Sequence, residues 1–213
     1  MKSPIVYSFR RCPYAIGARL ALREAGIVCE LREVVLKDKP AEMLAVSPKG
    51  TVPVLVLSDG RIIDESIDVI QWALEQSDPR GLLTPTTGTV VEMRLLMDSI
   101  ESDFKFHLDR YKYANRYEGS DSTEHRQLAS QYLYKVEGRL QEHDHLYGER
   151  PSMADITLAP FVRQFANTDR PWFDSEPWPR LISWLDSFLS AQRFLDVMEK
   201  YDQWHEGDEI KLF

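Results

Sequence analysis

The sequence predicts an α/β unit followed by an all-helical unit. Short β-rich runs alternate with helical stretches in the first third of the chain, whereas only helical periodicity follows residue 88. Two clusters rich in proline and glycine, at residues 78–81 and 85–88, separate these halves. We therefore predict a first domain over residues 1–77 and a helical domain over residues 88–213.

The α/β unit is predicted to run βαβ and then ββα. A β-branched run at residues 5–9 precedes a helix that begins at Pro13, because proline suits the first helical position, and Gly26 suits its end. A strand over residues 29–36 follows, and a strand–helix–strand order makes these two strands parallel. The remaining elements are a short helix, a hairpin with an Asp-Gly turn and a last helix, at residues 40–46, 51–63 and 66–75.

The helical unit is predicted from stripes of apolar residues at helical spacing. The first stripe runs from Met93 to Tyr111 and is about five turns long. Three further stripes lie within residues 128–140, 181–188 and 194–201. Each stripe is expected to pack its apolar face into one core.

Composition excludes several classes of protein. There are 26 basic and 34 acidic residues, a net charge of −8, so the surface repels phosphate backbones and we predict no nucleic-acid partner. No apolar run approaches the ~18 residues that a membrane helix needs, and no membrane partner is predicted. The first residues lack the core of a signal peptide. Two cysteines do not form a disulfide framework, so we expect a reducing, cytoplasmic setting.

Cys12 is the strongest candidate for chemistry. It lies between the first strand and the first helix, where backbone N–H groups and the helix dipole stabilise an anion, and Arg10 and Arg11 add positive charge. The pKa of this thiol is therefore expected to be depressed, so that the thiol is partly ionised at neutral pH. Ala15 replaces the second cysteine of a C-x-x-C pair, so an external thiol must resolve any mixed disulfide. The alternative is a buried residue that caps the helix, and Cys29, without basic neighbours, is assigned to packing.

Three further segments could recognise an extended, charged ligand. Val52-Pro53 could present backbone groups beside a cis proline, or could form a plain edge strand. Glu65-Ser66 opens a helix and could bind an amino-acid head group, although an ordinary N-cap uses the same residue types. Lys39 could bind a second carboxylate, with a solvated lysine as the alternative reading.

Three other patterns in the sequence are weaker indications of a functional site. Residues 110–117 interleave bases with aromatics, which can mark nucleic-acid binding, but the acidic balance argues against that function. We expect Phe104, His107 and Tyr111 to line a substrate cleft, with core packing as the alternative. Residues 142–145 have the types of metal ligands without workable spacing, so no metal site is predicted.

Taken together, these segments resemble a cytosolic glutathione transferase. They are most similar to the omega class and its bacterial relatives, whose nucleophile is cysteine. The resemblance is carried by Cys12-Pro13-Tyr14-Ala15, Leu36-Lys37-Asp38-Lys39-Pro40, Val52-Pro53, Glu65-Ser66 and the capping motif Ser152-Met153-Ala154-Asp155. It covers nearly the whole chain.

This resemblance implies a thioredoxin-like N-terminal domain that binds glutathione and a helical domain that binds the second substrate. Cys12 would meet the glutathione sulfur, and Val52 would pair with the cysteinyl backbone beside a cis Pro53. Glu65-Ser66 would hold the γ-glutamyl head group, and Lys39 would hold the glycyl carboxylate.

The predicted function is that of a glutathione-dependent thiol transferase or reductase, in which Cys12 forms a mixed disulfide with glutathione. Deglutathionylation, dehydroascorbate reduction and removal of glutathione from adducts all fit this chemistry. Conjugation of glutathione to electrophiles and a non-catalytic binding role are the alternatives. The resemblance also implies a homodimer that takes a small hydrophobic or disulfide substrate.

Overall fold

The computed structural model describes residues 2–213, and the chain divides into two compact units. Unit 1 comprises the chain up to Arg80 together with Ala191–Phe213, and unit 2 comprises Gly81–Ser190. The α/β plus all-α fold class is confirmed. The units nevertheless differ from the predicted domains, because residues 191–213 group with the α/β unit rather than with the helices.

The sheet of unit 1 contains four strands over the described residues, in the order β2-β1-β3-β4. The strands are β1 (Ile5–Ser8), β2 (Glu30–Glu33), β3 (Val54–Val56) and β4 (Ile62–Ile63). β1 pairs in parallel with β2 and antiparallel with β3, which confirms the predicted connection. β3 and β4 form the predicted hairpin, and its turn places Gly60 at a φ of 87°, which glycine adopts without steric cost.

Three helices follow the predicted pattern in the first eighty residues. They are α1 (Pro13–Glu24), α2 (Ala41–Val46) and α3 (Ser66–Gln76). α1 ends in a Schellman arrangement: the N–H of Ile27 donates to the carbonyl of Leu22, and the N–H of Gly26 donates to that of Arg23. Gly26 has a φ of 69°, so glycine is suited to this helix end.

Unit 2 is helical. Its helices are α4 (Val90–Ser99), α5 (Phe106–Lys112), α6 (Ser122–Leu140), α7 (Met153–Ala166), α8 (Arg170–Ser175) and α9 (Pro179–Ser190). The first predicted stripe is interrupted, because Ile100–Lys105 forms a π-helical segment between α4 and α5. At this junction the hydroxyl groups of Ser99 and Tyr132 donate to the carbonyl of Leu96, at 2.7 and 3.3 Å. Side-chain donors on a helix carbonyl are a known cause of such breaks.

Helix α7 forms the centre of unit 2 and begins with the predicted capping box. The carboxylate of Asp155 accepts hydrogen bonds from the N–H of Ser152 at 2.7 Å and from the N–H of Leu146 at 3.1 Å. The indole N–H of Trp184 also donates to it, at 2.9 Å. One buried carboxylate therefore fixes the start of α7, the preceding loop and α9.

Helix α10 (Gln192–Val197) and the tail segment, residues 199–213, belong to unit 1. α10 packs on α1, and the predicted apolar stripe stops being helical after Val197. Cys29 and Phe213 exchange two backbone hydrogen bonds, at 3.1 and 2.9 Å, and the N–H of Leu31 donates to the carbonyl of Lys211 at 2.8 Å. The tail segment therefore covers the β2 edge of the sheet.

Candidate active site

Cys12 is the N-cap residue of α1, immediately before Pro13. Its N–H donates to the carbonyl of Phe9 at 3.0 Å, and its own carbonyl accepts from the N–H of Ile16 at 2.9 Å. The side chain is half-buried and makes no capping hydrogen bond to the described residues of α1. The thiol is thus placed at the positive end of a helix dipole without being used to cap that helix.

Val52 lies beside this thiol. The Cys12 Sγ is 3.7 Å from the carbonyl oxygen of Val52, and the Val52-Pro53 peptide bond is cis, as the family resemblance implied. Strand β3 begins only after Pro53, so the plain edge-strand reading of this pair is wrong. The thiol packs against a buried cluster that includes Tyr7, Val52 and Trp204.

Lys39 approaches the loop that leads to Val52. A β-carbon added to Gly50 would lie 3.2 Å from the Lys39 Nζ, and Gly50 has a φ of 62°. The absence of a side chain at Gly50 therefore leaves room for the ammonium group beside the backbone. Lys39 therefore brings its positive charge beside Gly50, which precedes Val52 by two residues.

Glu65 and Ser66 mark the start of α3, but not as an ordinary serine cap. Glu65 is the N-cap residue and Ser66 is the first helical residue, and the Glu65 side chain makes no capping bond to the described residues of α3. The alternative of an ordinary side-chain N-cap is therefore wrong. The Glu65 carboxylate is exposed and pairs with Lys49 rather than with the helix end.

Lys49 is a site residue that the sequence analysis missed. Its Nζ lies 2.5 Å from Glu65 and 3.4 Å from Asp64, and Asp64 also accepts from the Ser47 hydroxyl at 2.8 Å. The Ser47 hydrogen bond and the neighbouring lysine lower the pKa of Asp64. Partial burial would lower the pKa of Lys49, but its two acidic partners raise it overall. No spacing rule indicates this cluster, because the turn before Val52 brings Lys49 to α3.

A buried ion pair lies beneath the loop that precedes Cys12. Arg19 is 2% exposed, and its guanidinium donates to the Ser8 hydroxyl at 2.6 Å and to the Arg10 carbonyl at 2.8 Å. The N–H of Arg10 donates to the Glu33 carboxylate at 2.6 Å. Burial lowers the pKa of Arg19 to about 10 and raises the pKa of Glu33. Composition alone gives no sign that either charge is buried.

Tyr7 and Cys29 are not arranged as reactive groups. The Tyr7 hydroxyl accepts a hydrogen bond from Arg32 at 2.7 Å, and burial is the main cause that raises its pKa. Cys29 has no exposed surface, and burial raises the pKa of its thiol to about 12. Cys29 packs in the interior, as the sequence predicted.

The tail segment also reaches this region, which the sequence analysis did not predict. The N–H of Trp204 donates to the carbonyl of Glu33 at 2.8 Å, and its ring meets the Tyr7 ring edge-on at 6.2 Å. The Gln203 amide donates to the side chain of Asp38 at 3.0 Å, next to Lys39. Trp204 therefore packs against the sheet, and Gln203 binds the segment around Asp38 and Lys39.

The three residues predicted to line a substrate cleft lie in unit 2. Phe104 has no exposed surface and stacks on Tyr132 with a centroid distance of 5.2 Å, and Tyr111 packs on Phe165 at 5.0 Å. These positions favour the packing alternative for Phe104 and Tyr111. The half-buried His107 lies with its Nδ1 at 2.7 Å from that of a second histidine, His125. A substrate role for these residues stays a prediction.

Comparison with known proteins identifies the family. Residues 6–81 match the model of the glutathione S-transferase N-terminal domain, and residues 108–187 match that of the glutathione S-transferase C-terminal domain. The chain belongs to the glutathione S-transferase family. Membership accounts for the thioredoxin-like sheet of unit 1 and for the helices of unit 2.

Two curated relatives of this chain are named for the omega and DHAR groups of glutathione S-transferases. The mouse "Glutathione S-transferase omega-1" is 29% identical over 75% of this chain and 65% of its own length. The rice "Probable glutathione S-transferase DHAR1, cytosolic" is 31% identical over 70% of this chain and 64% of its own length. The matched region thus spans slightly less than two thirds of either relative.

A solved structure supports the same fold for this glutathione S-transferase. A family member from Pseudomonas fluorescens, described with two glutathione bound, has a TM-score of 0.79 and covers 93% of each chain at 17% identity. At that identity the likeness extends to the fold alone. Within residues 2–213 no cluster of three or more His, Cys, Asp or Glu side chains is arranged for a metal ion. None of the described helices is long and apolar enough to cross a membrane.

Proposed function

We propose that this chain is a glutathione-dependent thiol transferase or reductase with Cys12 as its nucleophile. The observation that carries the proposal is the position of the Cys12 thiol, half-buried at the start of α1 and 3.7 Å from the Val52 carbonyl. Helix N-termini favour the thiolate, which is the attacking form of cysteine. Relatives named for the omega class support the same activity.

The reaction proceeds in two balanced exchanges. The Cys12 thiolate attacks the glutathione sulfur of a glutathionylated substrate, forms a Cys12–glutathione disulfide and releases the substrate thiolate. A second glutathione thiolate then attacks that disulfide, which regenerates the Cys12 thiolate and releases oxidised glutathione. Ala15 is buried where a resolving cysteine would stand in a C-x-x-C pair, so the second step uses an external thiol.

Glutathione is the co-substrate because its three parts match the groups around Cys12. Its cysteinyl backbone would align with Val52, as an extended peptide aligns with a strand edge. Its γ-glutamyl ammonium would pair with Glu65 near the start of α3, where Ser66 and helix N–H groups favour the neighbouring carboxylate. Its glycyl carboxylate would pair with Lys39, which lies beside Gly50.

A disulfide exchange assay with glutathione tests the nucleophile. Cys12→Ala should abolish turnover and prevent a glutathione adduct from being detected by mass spectrometry of the intact protein. Cys29→Ala is the matched control and should keep both, since Cys29 is buried and its thiol pKa is raised to about 12. Retained turnover in Cys12→Ala would remove Cys12 from the mechanism.

A further substitution, Cys12→Ser, helps to separate the two alternatives. If the enzyme conjugates glutathione to electrophiles, Cys12→Ser should increase conjugation of an aryl halide, because no competing disulfide forms. A non-catalytic binding protein should show no turnover in either assay. Calorimetry of the unmodified protein with glutathione then distinguishes a loss of catalysis from a loss of binding.

Homodimerisation belongs to the same proposal. Helix α4 exposes Val91 and Leu95, 67% and 62% accessible, and these residues are four apart and share one helix face. A second copy of the chain is the proposed occupant of this face. Leu95→Glu should convert a dimer to a monomer in sedimentation, whereas Leu195→Glu, at a 50% exposed residue of unit 1, should not.

The small second substrate and the cytoplasmic setting are part of the proposal as well. Reducing conditions keep Cys12 and Cys29 as thiols, as they are in the structure. A disulfide or a compact apolar molecule fits an exchange reaction at a half-buried sulfur. A panel of glutathionylated peptides, dehydroascorbate and aryl adducts would rank these substrates by kcat/KM.

A further inference from the structure

Two buried, oppositely charged side chains hold the backbone of Arg10, two residues before Cys12. The Arg19 guanidinium donates to the Arg10 carbonyl at 2.8 Å, and the Glu33 carboxylate accepts from the Arg10 N–H at 2.6 Å. Arg19 follows Cys12 by seven residues, so both lie on the same face of α1. Long side chains on a helix point towards its N-terminus, and this direction brings the Arg19 guanidinium to the loop that precedes Cys12.

Arg19 and Glu33 are not joined by a direct hydrogen bond between their charged groups. The Arg19 Nη1 and the Glu33 Oε2 are 4.0 Å apart, which is longer than a charge-assisted hydrogen bond. Within residues 2–213, the Arg19 Nε and the Glu33 Oε2 are buried without a hydrogen-bond partner. A pair selected only for stability would be expected to satisfy both groups, because an unmatched buried charge is costly. Glu33 therefore lies at ion-pair distance from Arg19 without a direct hydrogen bond to it.

A buried charge acts more strongly on nearby groups than a solvent-exposed one, because the interior has a low dielectric. Arg19 is 2% exposed, whereas Arg11, adjacent to Cys12, is exposed and screened by solvent and salt. Burial is the main cause that lowers the pKa of Arg19, and Glu33, Cys12, Arg10 and Tyr201 are charged or titratable groups that also shift this pKa. Its carboxylate partner opposes its effect on the thiol.

We propose that Arg19 is a positioning residue that holds the Cys12 loop and favours the Cys12 thiolate, and that Glu33 limits this effect. The inference rests on the proposed function, in which Cys12 is the nucleophile. It assigns control of the thiol to the buried Arg19 rather than to Arg11, the exposed arginine adjacent to Cys12. Glu33 then sets how strongly the thiol is ionised.

Titration of the thiol tests this inference, with thiolate absorbance followed against pH in a Cys29→Ala background. Arg19→Gln should raise the titration midpoint, so that the thiolate fraction at a pH below the midpoint falls about tenfold. Glu33→Gln should lower the midpoint. Damage to the loop would move both variants in the same direction, whereas a charge effect moves them in opposite directions.

Two control variants sharpen the result. Arg19→Lys keeps the charge and should retain most of the wild-type midpoint, while Arg11→Gln should cause a smaller shift that disappears at high salt. If Arg19→Gln does not fold, as judged by circular dichroism, the test rests on Glu33→Gln. This variant must then lower the midpoint of the thiol titration. Shifts in the same direction, or an unchanged midpoint in Glu33→Gln, overturn the inference.

Failure of this inference is distinguishable from failure of the proposed function. A wild-type Cys12 that stays protonated well above neutral pH and forms no glutathione adduct would refute the nucleophile itself. A wild-type thiolate at neutral pH with variants that do not move in opposite directions would refute only the role of Arg19 and Glu33.

Discussion

The sulfur of Cys12 and the carbonyl oxygen of Val52 lie 3.7 Å apart, although the two residues come from different segments of unit 1. Cys12 is fixed by the start of α1, and Val52 by the loop that ends at β3. An extended ligand that aligns with Val52 is thereby brought to the thiol. The proposed function requires this closeness, because the backbone that orients the ligand must lie beside the sulfur that reacts with it.

The two cysteines should differ strongly in reactivity. Cys12 is half-buried, whereas Cys29 has no exposed surface and a thiol pKa raised by burial to about 12. Iodoacetamide at neutral pH should therefore modify Cys12 and leave Cys29 unmodified in the native protein. Peptide mass spectrometry checks this, and both cysteines should react in denaturant. Equal native rates would contradict the assignment of Cys29 to the interior.

Lys49 should compete with the ligand for Glu65. Because their ion pair is largely exposed, we expect Lys49→Met to tighten glutathione binding only modestly, by at most about fivefold. Calorimetry measures this, with Lys37→Met at another exposed lysine as the control. Weaker binding by Lys49→Met would instead show that the lysine itself contacts the ligand.

Asp155 should contribute strongly to the stability of unit 2. The carboxylate is buried and accepts from Ser152, Leu146 and Trp184, so Asp155→Ala leaves several donors without a partner. We expect a loss on the order of 3 kcal/mol in the free energy of unfolding, measured with urea. Asp144→Ala, at an exposed aspartate nearby, should change it by less than about 0.5 kcal/mol. Similar losses in both variants would argue against a special role for Asp155.

The same residue should make stability depend on acid pH. Although burial would raise it, hydrogen bonds from His145, Ser152 and Leu146 hold the pKa of Asp155 below its ordinary value. Its contribution is therefore present above the unfolded pKa of about 3.9 and is lost as pH falls through the folded value. Asp155→Asn should unfold at lower urea concentrations at neutral pH and lose less additional stability below about pH 4. An unchanged slope in that acid range would contradict this.

Trp204 should tie the tail segment to unit 1. Its ring is 8% exposed, lies on Arg32 at 4.1 Å and meets Tyr7 edge-on. Trp204→Ala should reduce the free energy of unfolding by about 3–5 kcal/mol, as large-to-small core substitutions do. Leu212→Ala, at a 61% exposed residue of the same segment, is the control and should have little effect. A near-neutral Trp204→Ala would mean that the tail segment is not part of the core.

Local signals in the sequence predicted most of the fold. Pro13 and Gly26 mark the ends of the first helix, Gly60 marks the hairpin turn, and the Ser152–Asp155 box marks the start of α7. Each of these depends on residues a few positions apart. The π-helical segment was missed because its apolar residues keep nearly helical spacing.

Long-range pairings could not be predicted in the same way. The site at Cys12 and Val52 was predicted because a motif marks each residue. Arg19 and Lys49 look like ordinary surface residues in the sequence, and only the fold buries the first and brings the second to Glu65. The tail segment was assigned to the helical domain, because its pairing with β2 depends on backbone groups rather than on side-chain type.

That pairing has a consequence for how the protein is made. Cys29 and Leu31 find their backbone partners in residues 211–213, which leave the ribosome only after all of unit 2. During synthesis the β2 edge therefore stays open while the intervening helices emerge, and open strand edges invite pairing with other chains.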